Sequence, residues 1–344
     1  GELHEIRRPP IRQFREDLAG FLGADDVRFT HGAREGIFAV MHAIAKPGDV
    51  VVVDSLAHYT TYIAAERAGL KVVEVPNSGY PNYEVDAAGF KEAIERVLES
   101  SGAPPALAVL THVDSEFGNL SDAKAVGEIC RSYGVPLLLN AALTAGRMPI
   151  SCSELGADFL VASGHKSMAA CGPVGVLAAR GELADKVFAK SRIKPELSPF
   201  YRGGFPNKEV EMLGCTVRGA PLITLMASFP YVAERVKRWE AEVAKARRFV
   251  ELMERIEGVR QLGQRPRRHD ICDFEAEPFY QISLKHKRRG YFLYEELKQR
   301  GIVGIAPGKT KRFHVSVYGL SDEEVEEVAR AFQEVAEKYG VRVS

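Results

Sequence analysis

The stretch "DFLVASGHKSMAACGPVGVLAAR", residues 158–180, decides how the chain is read. Phe159–Ala162 and Val174–Ala178 are short apolar runs of the length and composition of buried strands. Between them lies a loop of small residues carrying Ser163, His165 and Lys166. A lysine so close to two buried strand ends either turns out to solvent or is kept there for chemistry.

Working outward, the same texture recurs. Val50–Val53, Val72–Val75, Ala106–Leu110 and Leu137–Leu139 are further Val/Leu/Ala runs, as expected of strands covered on both faces by helices. Helical patterns alternate with them over 33–45, 57–68, 87–99 and 121–133. In the first, Ile37, Val40, Met41 and Ile44 recur at helical spacing. The reading is an α/β domain with a mainly parallel sheet. From 181 to 222 the chain becomes irregular and rich in Pro and Gly, and a long helix is expected over about 226–256. Beyond it we expect strands at 279–284 and 312–317 and helices at 290–300 and 322–339. Residues 1–234 then form a large domain, and 235–344 a smaller α+β domain.

The totals exclude several classes. The chain has 344 residues, 46% hydrophobic and 27% charged, with 46 basic and 46 acidic side chains. That balance offers no global field for a polyanion, so a nucleic acid would have to be met by local patches. No apolar run approaches the ~18 residues that span a bilayer, and no signal peptide is visible. The chain opens on Gly1 without a methionine, so a missing N-terminal piece is expected. Cys130, Cys152, Cys171, Cys215 and Cys272 are odd in number and unpaired in spacing, which suggests thiols in a reducing cytoplasm.

Polar residues gather where strands end. In "RFTHGAREGIFAVMHAI" (28–44) a strand end and Gly32-Ala33-Arg34 open into a helix whose N-terminus can receive an anion; any βα turn with a glycine looks similar. His58 follows Val50–Val53 in "DSLAHYTTY" (54–62). His112, Asp114, Ser115 and Glu116 follow another strand end in "VLTHVDSEFGNLSD" (109–122), and Asn140 closes the run of leucines. Singly, each is also compatible with a purely structural role. Together with Ser163–Lys166 they supply an anion cradle, a flat imidazole, an amide and an amine at C-terminal strand ends, where open α/β sheets build pockets. A phosphorylated aromatic aldehyde held as a Schiff base requires that set.

With these residues in view, the chain resembles the pyridoxal-phosphate enzymes of the aspartate-aminotransferase superfamily, in their cysteine-desulfurase-like branch. The likeness rests on the Thr-x-Gly loop ending at Gly32, on His58, and on Ser163-Gly164-His165-Lys166. More closely, "LLLNAALTAGRMP", "VASGHKSMAACGPVGVLA" and "EMLGCTVRGAPLITLMASFP" resemble the O-phosphoseryl-tRNA:cysteinyl-tRNA synthases, a family that makes cysteine on its tRNA from phosphoserine already attached there. The resemblance implies the seven-stranded large domain of the pyridoxal-phosphate-dependent transferases. It implies pyridoxal 5'-phosphate held by Gly32, Ala33, Arg34, His58, Ser115, Asn140, Ser163 and His165 and carried by Lys166, with Lys166 also the base at Cα and no metal assigned. The reaction implied is β-elimination of phosphate followed by addition of sulfur.

Two departures from the desulfurase pattern favour the tRNA-linked substrate. Asn140 stands where the superfamily commonly has an aspartate facing the pyridine nitrogen, which weakens the electron sink and suits β-elimination better than transamination. In "KRFHVSVYGLSDEE" His314 replaces the arginine that clamps a free carboxylate, and an esterified carboxyl needs no clamp; Arg312, on the same strand face, could compensate. Sulfur relay in the family uses an N-terminal cysteine pair, absent here because Cys130 is the first cysteine, and a later cysteine matching Cys215; Cys171 is a second choice. Arg34 and Arg202 are candidates for holding the substrate phosphate. Partners implied are tRNA(Cys) charged with O-phosphoserine, a sulfur donor, a second copy in a homodimer and the phosphoseryl-tRNA synthetase, in the cytoplasm and without a membrane. Basic runs at 7–15, 190–194, 260–268 and 285–289 are candidate tRNA contacts. The competing readings are a cysteine desulfurase or selenocysteine-lyase-like enzyme acting on a free amino acid, and a non-catalytic tRNA-binding relative.

Overall fold

A computed structural model describes residues 10–212 and 218–344. The described chain divides into two compact units. The first comprises residues up to Asn77, Val85–Val113 and Ser121–Lys237; the second comprises Ser78–Glu84, Asp114–Leu120 and Arg238–Ser344.

The first unit is built on seven strands: β1 (Asp26–Thr30), β2 (Val50–Asp54), β3 (Lys71–Val75), β4 (Leu107–Thr111), β5 (Leu137–Asn140), β6 (Phe159–Ser163) and β7 (Gly175–Ala179). Their order is β1-β7-β6-β5-β4-β2-β3, and only β7 runs against its neighbours. The apolar runs are explained by the two faces. Val52, Ala108, Leu110, Leu137, Leu139, Leu160 and Ala162 join one core, while Val51, Val53, Leu107, Val109, Leu138, Phe159 and Val161 join the other. Successive residues point to opposite faces of a strand, and here both faces are dry. Helices α1 (Ile11–Phe21), α4 (Ala87–Ser101), α5 (Ala123–Ser132) and α9 (Gly219–Arg235) feed the first core; α2 (Ala33–Ile44), α3 (Tyr59–Ala68) and α8 (Gly181–Val187) feed the second. Two short helices, α6 (Cys152–Leu155) and α7 (Gly164–Ser167), complete the unit. Each fully buried Val or Leu contributes roughly 1.5–3 kcal/mol, so the sheet centre dominates the stability of this unit.

The second unit has three antiparallel strands in the order β10-β9-β8: β8 (Val259–Leu262), β9 (Ile271–Ala276) and β10 (Arg312–Ser316). Helices α10 (Trp239–Met253), α11 (Glu277–Lys285), α12 (Phe292–Gln299) and α13 (Asp322–Lys338) pack on it around Phe249, Phe274, Phe279, Phe292, Phe313 and Phe332. A capping box opens α13: Ser321 Oγ accepts from Glu324 N at 3.2 Å, and Ser321 N donates to Glu324 at 2.8 Å.

The architecture is the mainly parallel seven-stranded large domain expected from the sequence, with an added small antiparallel sheet. Two local expectations fail, and two strands were not foreseen. Residues 279–284 are not a strand but lie in α11, where Pro278 starts the helix and Phe279, Ile282 and Ser283 face inward at helical spacing. The long helix over 226–256 is two helices joined by a 3-10 turn at Val236–Arg238. Val236 and Trp239, at either end of that turn, are both buried. Strands β8 and β9 escape pattern reading because buried Gln261 and Asp273 interrupt their apolar alternation.

Candidate functional site

Strand register brings the predicted residues of the first unit to one edge of the sheet. Thr111 pairs with Asn140, and Asn140 with Val161. Gly175 lies between Thr30 and Ser163, paired with both. The C-terminal ends of β1, β4, β5 and β6 therefore share one border, and each leads straight into a loop carrying a candidate residue.

Beyond β1, Thr30 Oγ1 donates to Gly32 O at 2.8 Å, and Gly32 caps α2. Ala33 and Arg34 occupy the first turn of α2, where backbone N–H groups have no partner within the helix. Glu35 accepts from His31 N at 2.7 Å and lies 3.0 Å from His31 Nδ1, which fixes the loop from behind. Close approach is built in: a Cβ at Gly175 would stand 2.2 Å from Thr30 Oγ1 and 2.3 Å from the Gly32 carbonyl carbon. Gly175 and Thr30 are signals the sequence reading passed over; the glycine is visible as the one break in the apolar run of β7.

Beyond β2, His58 caps α3 through Nδ1, which accepts from Thr60 N at 3.4 Å and lies 2.9 Å from Thr60 Oγ1. An accepting Nδ1 leaves the proton on Nε2 of a neutral ring. Burial lowers the His58 pKa, and the charges of Lys166 and Arg34 lower it further. Both effects favour the uncharged imidazole.

Beyond β5, Asn140 is buried with Oδ1 accepting from Ala142 N at 3.2 Å, so Nδ2 is the end left for a ligand. Beyond β6, Ser163 Oγ and His165 Nδ1 are 3.2 Å apart. Lys166 is exposed, yet the protein around its ammonium removes enough hydration to lower its pKa, and no carboxylate pairs with it among the described residues. The turn that carries it is held on three sides. Ser167 Oγ donates to Ala142 O at 3.1 Å, Arg235 donates to the carbonyls of Gly146 and Ser167, and Ser228 Oγ donates to Met168 O at 2.8 Å. Arg235 was hidden in the sequence among the mixed charges of a helix.

Ser115 is exposed in the segment Asp114–Leu120, which belongs to the second unit. There Asp114 accepts from the N–H groups of Glu116, Phe117 and Asn119 at 2.9, 2.6 and 2.8 Å. Fully buried Arg267 donates to Gly118 O and to Ile271 O. Arg312 is held by Asp273 at 2.7 Å, whose own pKa burial pushes up to about 6 against the pull of that arginine, so Arg312 is already engaged. Cys215 lies outside the described residues. Cys171 is exposed, and its N–H donates to Thr224 Oγ1 at 3.0 Å. Arg202 is exposed. Among the described residues no three His, Cys, Asp or Glu side chains come together as metal ligands, and no helix is long and apolar enough to cross a membrane.

The arrangement offers what a phosphate-bearing aromatic aldehyde needs: an anion cradle at α2, a neutral ring at His58, an amide donor at Asn140 and an amine of lowered pKa at Lys166.

Comparison with known proteins agrees. Residues 37–337 match the family described as O-phosphoseryl-tRNA(Sec) selenium transferase, SepSecS. The chain is 59% identical, over its full length and 87% of the relative's, to the O-phospho-L-seryl-tRNA:Cys-tRNA synthase of Methanopyrus kandleri. A crystal structure of a SepCysS–SepCysE N-terminal domain complex superposes with a TM-score of 0.88 at 52% identity, covering 96% of this chain and 86% of that one. The apo cysteine desulfurase of Thermococcus onnurineus shares the fold at a TM-score of 0.75 and 22% identity, over 95% of this chain and 83% of that one.

Proposed function

Since the chain belongs to the O-phosphoseryl-tRNA(Sec) selenium transferase family, among its O-phospho-L-seryl-tRNA:Cys-tRNA synthases, we infer that it converts tRNA-bound O-phosphoserine into tRNA-bound cysteine. It is an enzyme that replaces phosphate at Cβ with sulfur, and its substrate carboxyl is esterified to tRNA. The observation that carries the chemistry is the shared strand edge that collects Gly32, Asn140, Ser163 and Lys166.

The residues of that edge fit pyridoxal 5'-phosphate as cofactor. When bound, it supplies an electron sink for the pair left at Cα when the proton there is removed. Gly32, Ala33 and Arg34 would hold its phosphate at the N-terminus of α2, with Ser163 and His165 beside them, and neutral His58 would cover its ring. Asn140 presents an N–H donor through Nδ2, which suits a pyridine nitrogen acting as acceptor, the unprotonated form.

Lys166 Nζ is the amine that would carry the cofactor covalently. It also takes the proton from Cα and returns it once sulfur has joined Cβ. Both tasks need the neutral amine, and desolvation, by lowering its pKa, raises that fraction at physiological pH. Phosphate departs from Cβ with its bonding pair, and Arg34 and Arg202 supply positive charge toward it. Arg235 acts on the turn rather than on substrate, tying the Ser167 carbonyl just after Lys166 to that of Gly146.

The same reading assigns Cys215 as the sulfur-carrying thiol, with Cys171 in reserve, and a separate sulfur donor. It assigns a homodimer, a cytoplasmic location, a domain boundary at residue 234, and association with the phosphoseryl-tRNA synthetase. The related complex with SepCysE supports a protein partner of that kind. The decisive experiment supplies phosphoseryl-tRNA, pyridoxal phosphate and sulfide. Cysteinyl-tRNA should form, and no product with sulfide present would defeat the reading.

A further inference from the structure

We infer that two adjoining loops of the second unit, at the end of α11 and just before β10, form a docking face for the phosphate backbone of the tRNA; this rests on the tRNA-linked activity proposed above. The four basic runs seen in the sequence have different fates. In 260–268, Arg267 is buried, Arg265 pairs with Glu254, and Arg260 lies over the Tyr80 ring at 5.7 Å. In 7–15, Arg7 and Arg8 lie outside the described residues, while Arg12 pairs with Glu16 at 3.2 Å and Arg15 with Asp26 at 2.8 Å. The run 190–194 stays exposed, but beside Ile193, Leu197 and Phe200, which are 68%, 95% and 86% exposed; such apolar surface suits a protein contact better than RNA.

The run 285–289 is different. Only Arg288 is ion-paired, bound to Glu295 through Nε at 2.8 Å, while Lys285, Lys287 and Arg289 are exposed. A second stretch of chain adds to them. Thr310 Oγ1 reaches Ser283 Oγ at 3.4 Å, and Lys311 Nζ stands 5.2 Å from the centre of the Tyr280 ring. A Cβ at Gly290 would come within 3.1 Å of Gly308 Cα. These contacts lay the loop of Lys309 and Lys311 along the C-terminal half of α11 and the turn that follows it.

Five exposed cations, Lys285, Lys287, Arg289, Lys309 and Lys311, are thus collected with no ion pair to any of them among the described residues; Glu295, near Lys287, is taken up by Arg288. In a chain of zero net charge that concentration is local and repels itself. A polyanion relieves it, releasing counterions as each phosphate is neutralised. Tyr291, 57% exposed at the border, offers a ring on which an unpaired base can stack.

The test is binding of transcribed, uncharged tRNA(Cys) to the full-length holoenzyme over a series of potassium chloride concentrations. A variant carrying Lys285→Gln, Lys287→Gln, Lys309→Gln and Lys311→Gln should lose about three to four units from the slope of log K against log salt. It should also bind at least about tenfold more weakly near 0.1 M salt. Lysine-to-arginine changes at the same four positions should restore slope and affinity, which separates charge from folding. If the glutamine variant binds with wild-type slope and affinity, the docking face is refuted while the tRNA-linked activity stands. If the wild type binds no tRNA, the activity reading falls and takes this assignment with it.

Discussion

Lys166 and Arg267 are two cations held by protein, and the fold treats them in opposite ways. Arg267 is 2% exposed and spends its guanidinium on the carbonyls of Gly118, Ile271 and Gln264. Lys166 is exposed, and among the described residues no carboxylate pairs with its amine; what is secured is the backbone around it, by Ser167, Arg235 and Ser228. A guanidinium whose two terminal nitrogens meet carbonyls, with only its Nε left without a partner among the described residues, stays charged and serves as structure. A cation whose backbone is fixed while its head is left open, partly desolvated and unpaired, can change protonation and serves as chemistry.

The contrast would break most visibly at Lys166 itself. Lys166→Ala should lower cysteinyl-tRNA formation by roughly 10³-fold or more while leaving the fold intact; a near-normal rate would remove the amine from the reaction. Next in size is Arg267→Met, which strands buried carbonyls and should cost about 3 kcal/mol in a urea unfolding titration. Stability equal to wild type would mean that the guanidinium is dispensable. Gly175→Ala forces a methyl into the wall of the anion cradle. It should cost about 1–3 kcal/mol and weaken pyridoxal phosphate binding in equilibrium dialysis; a loss of stability with binding untouched would detach Gly175 from the cradle.

The smallest effect sharpens the comparison. The folded pKa of Lys166 lies below the ordinary lysine value of 10.5, so at neutral pH the unfolded chain holds the proton more tightly and this group opposes folding. The penalty is absent above pH 10.5 and grows as pH falls toward the folded pKa. Lys166→Met should therefore raise the thermal midpoint at pH 7, with the gain shrinking toward pH 10.5. A gain constant across pH would trace to packing instead.

The two regions were also unequally legible. Strands with two dry faces announce themselves as Val and Leu runs, and register then carries Asn140, Ser163 and Lys166 to one edge without further information. The second unit hides its logic, because Gln261, Asp273 and Arg267 are polar groups placed inside it. They interrupt the apolar alternation of β8 and β9, and they make residues 260–268 look like a solvated basic run. Phe279 and Ile282, three apart, share a face in a helix but not in a strand, and with Pro278 at the helix start they were the signal to follow. Ser115 follows β4 in sequence as regularly as Asn140 follows β5, yet its segment belongs to the other unit, a long-range fact that no local pattern encodes.

The Asp114–Leu120 loop therefore has a consequence for anyone cutting the molecule. A fragment beginning at Arg238 would carry every strand of the three-stranded sheet but not Gly118, one of the carbonyls that Arg267 was placed to meet. It would also lack Asn119, whose Oδ1 accepts from Gln264 N at 2.7 Å. The smaller unit is thus contiguous in space but not in the gene, and no single cut in the chain releases it whole.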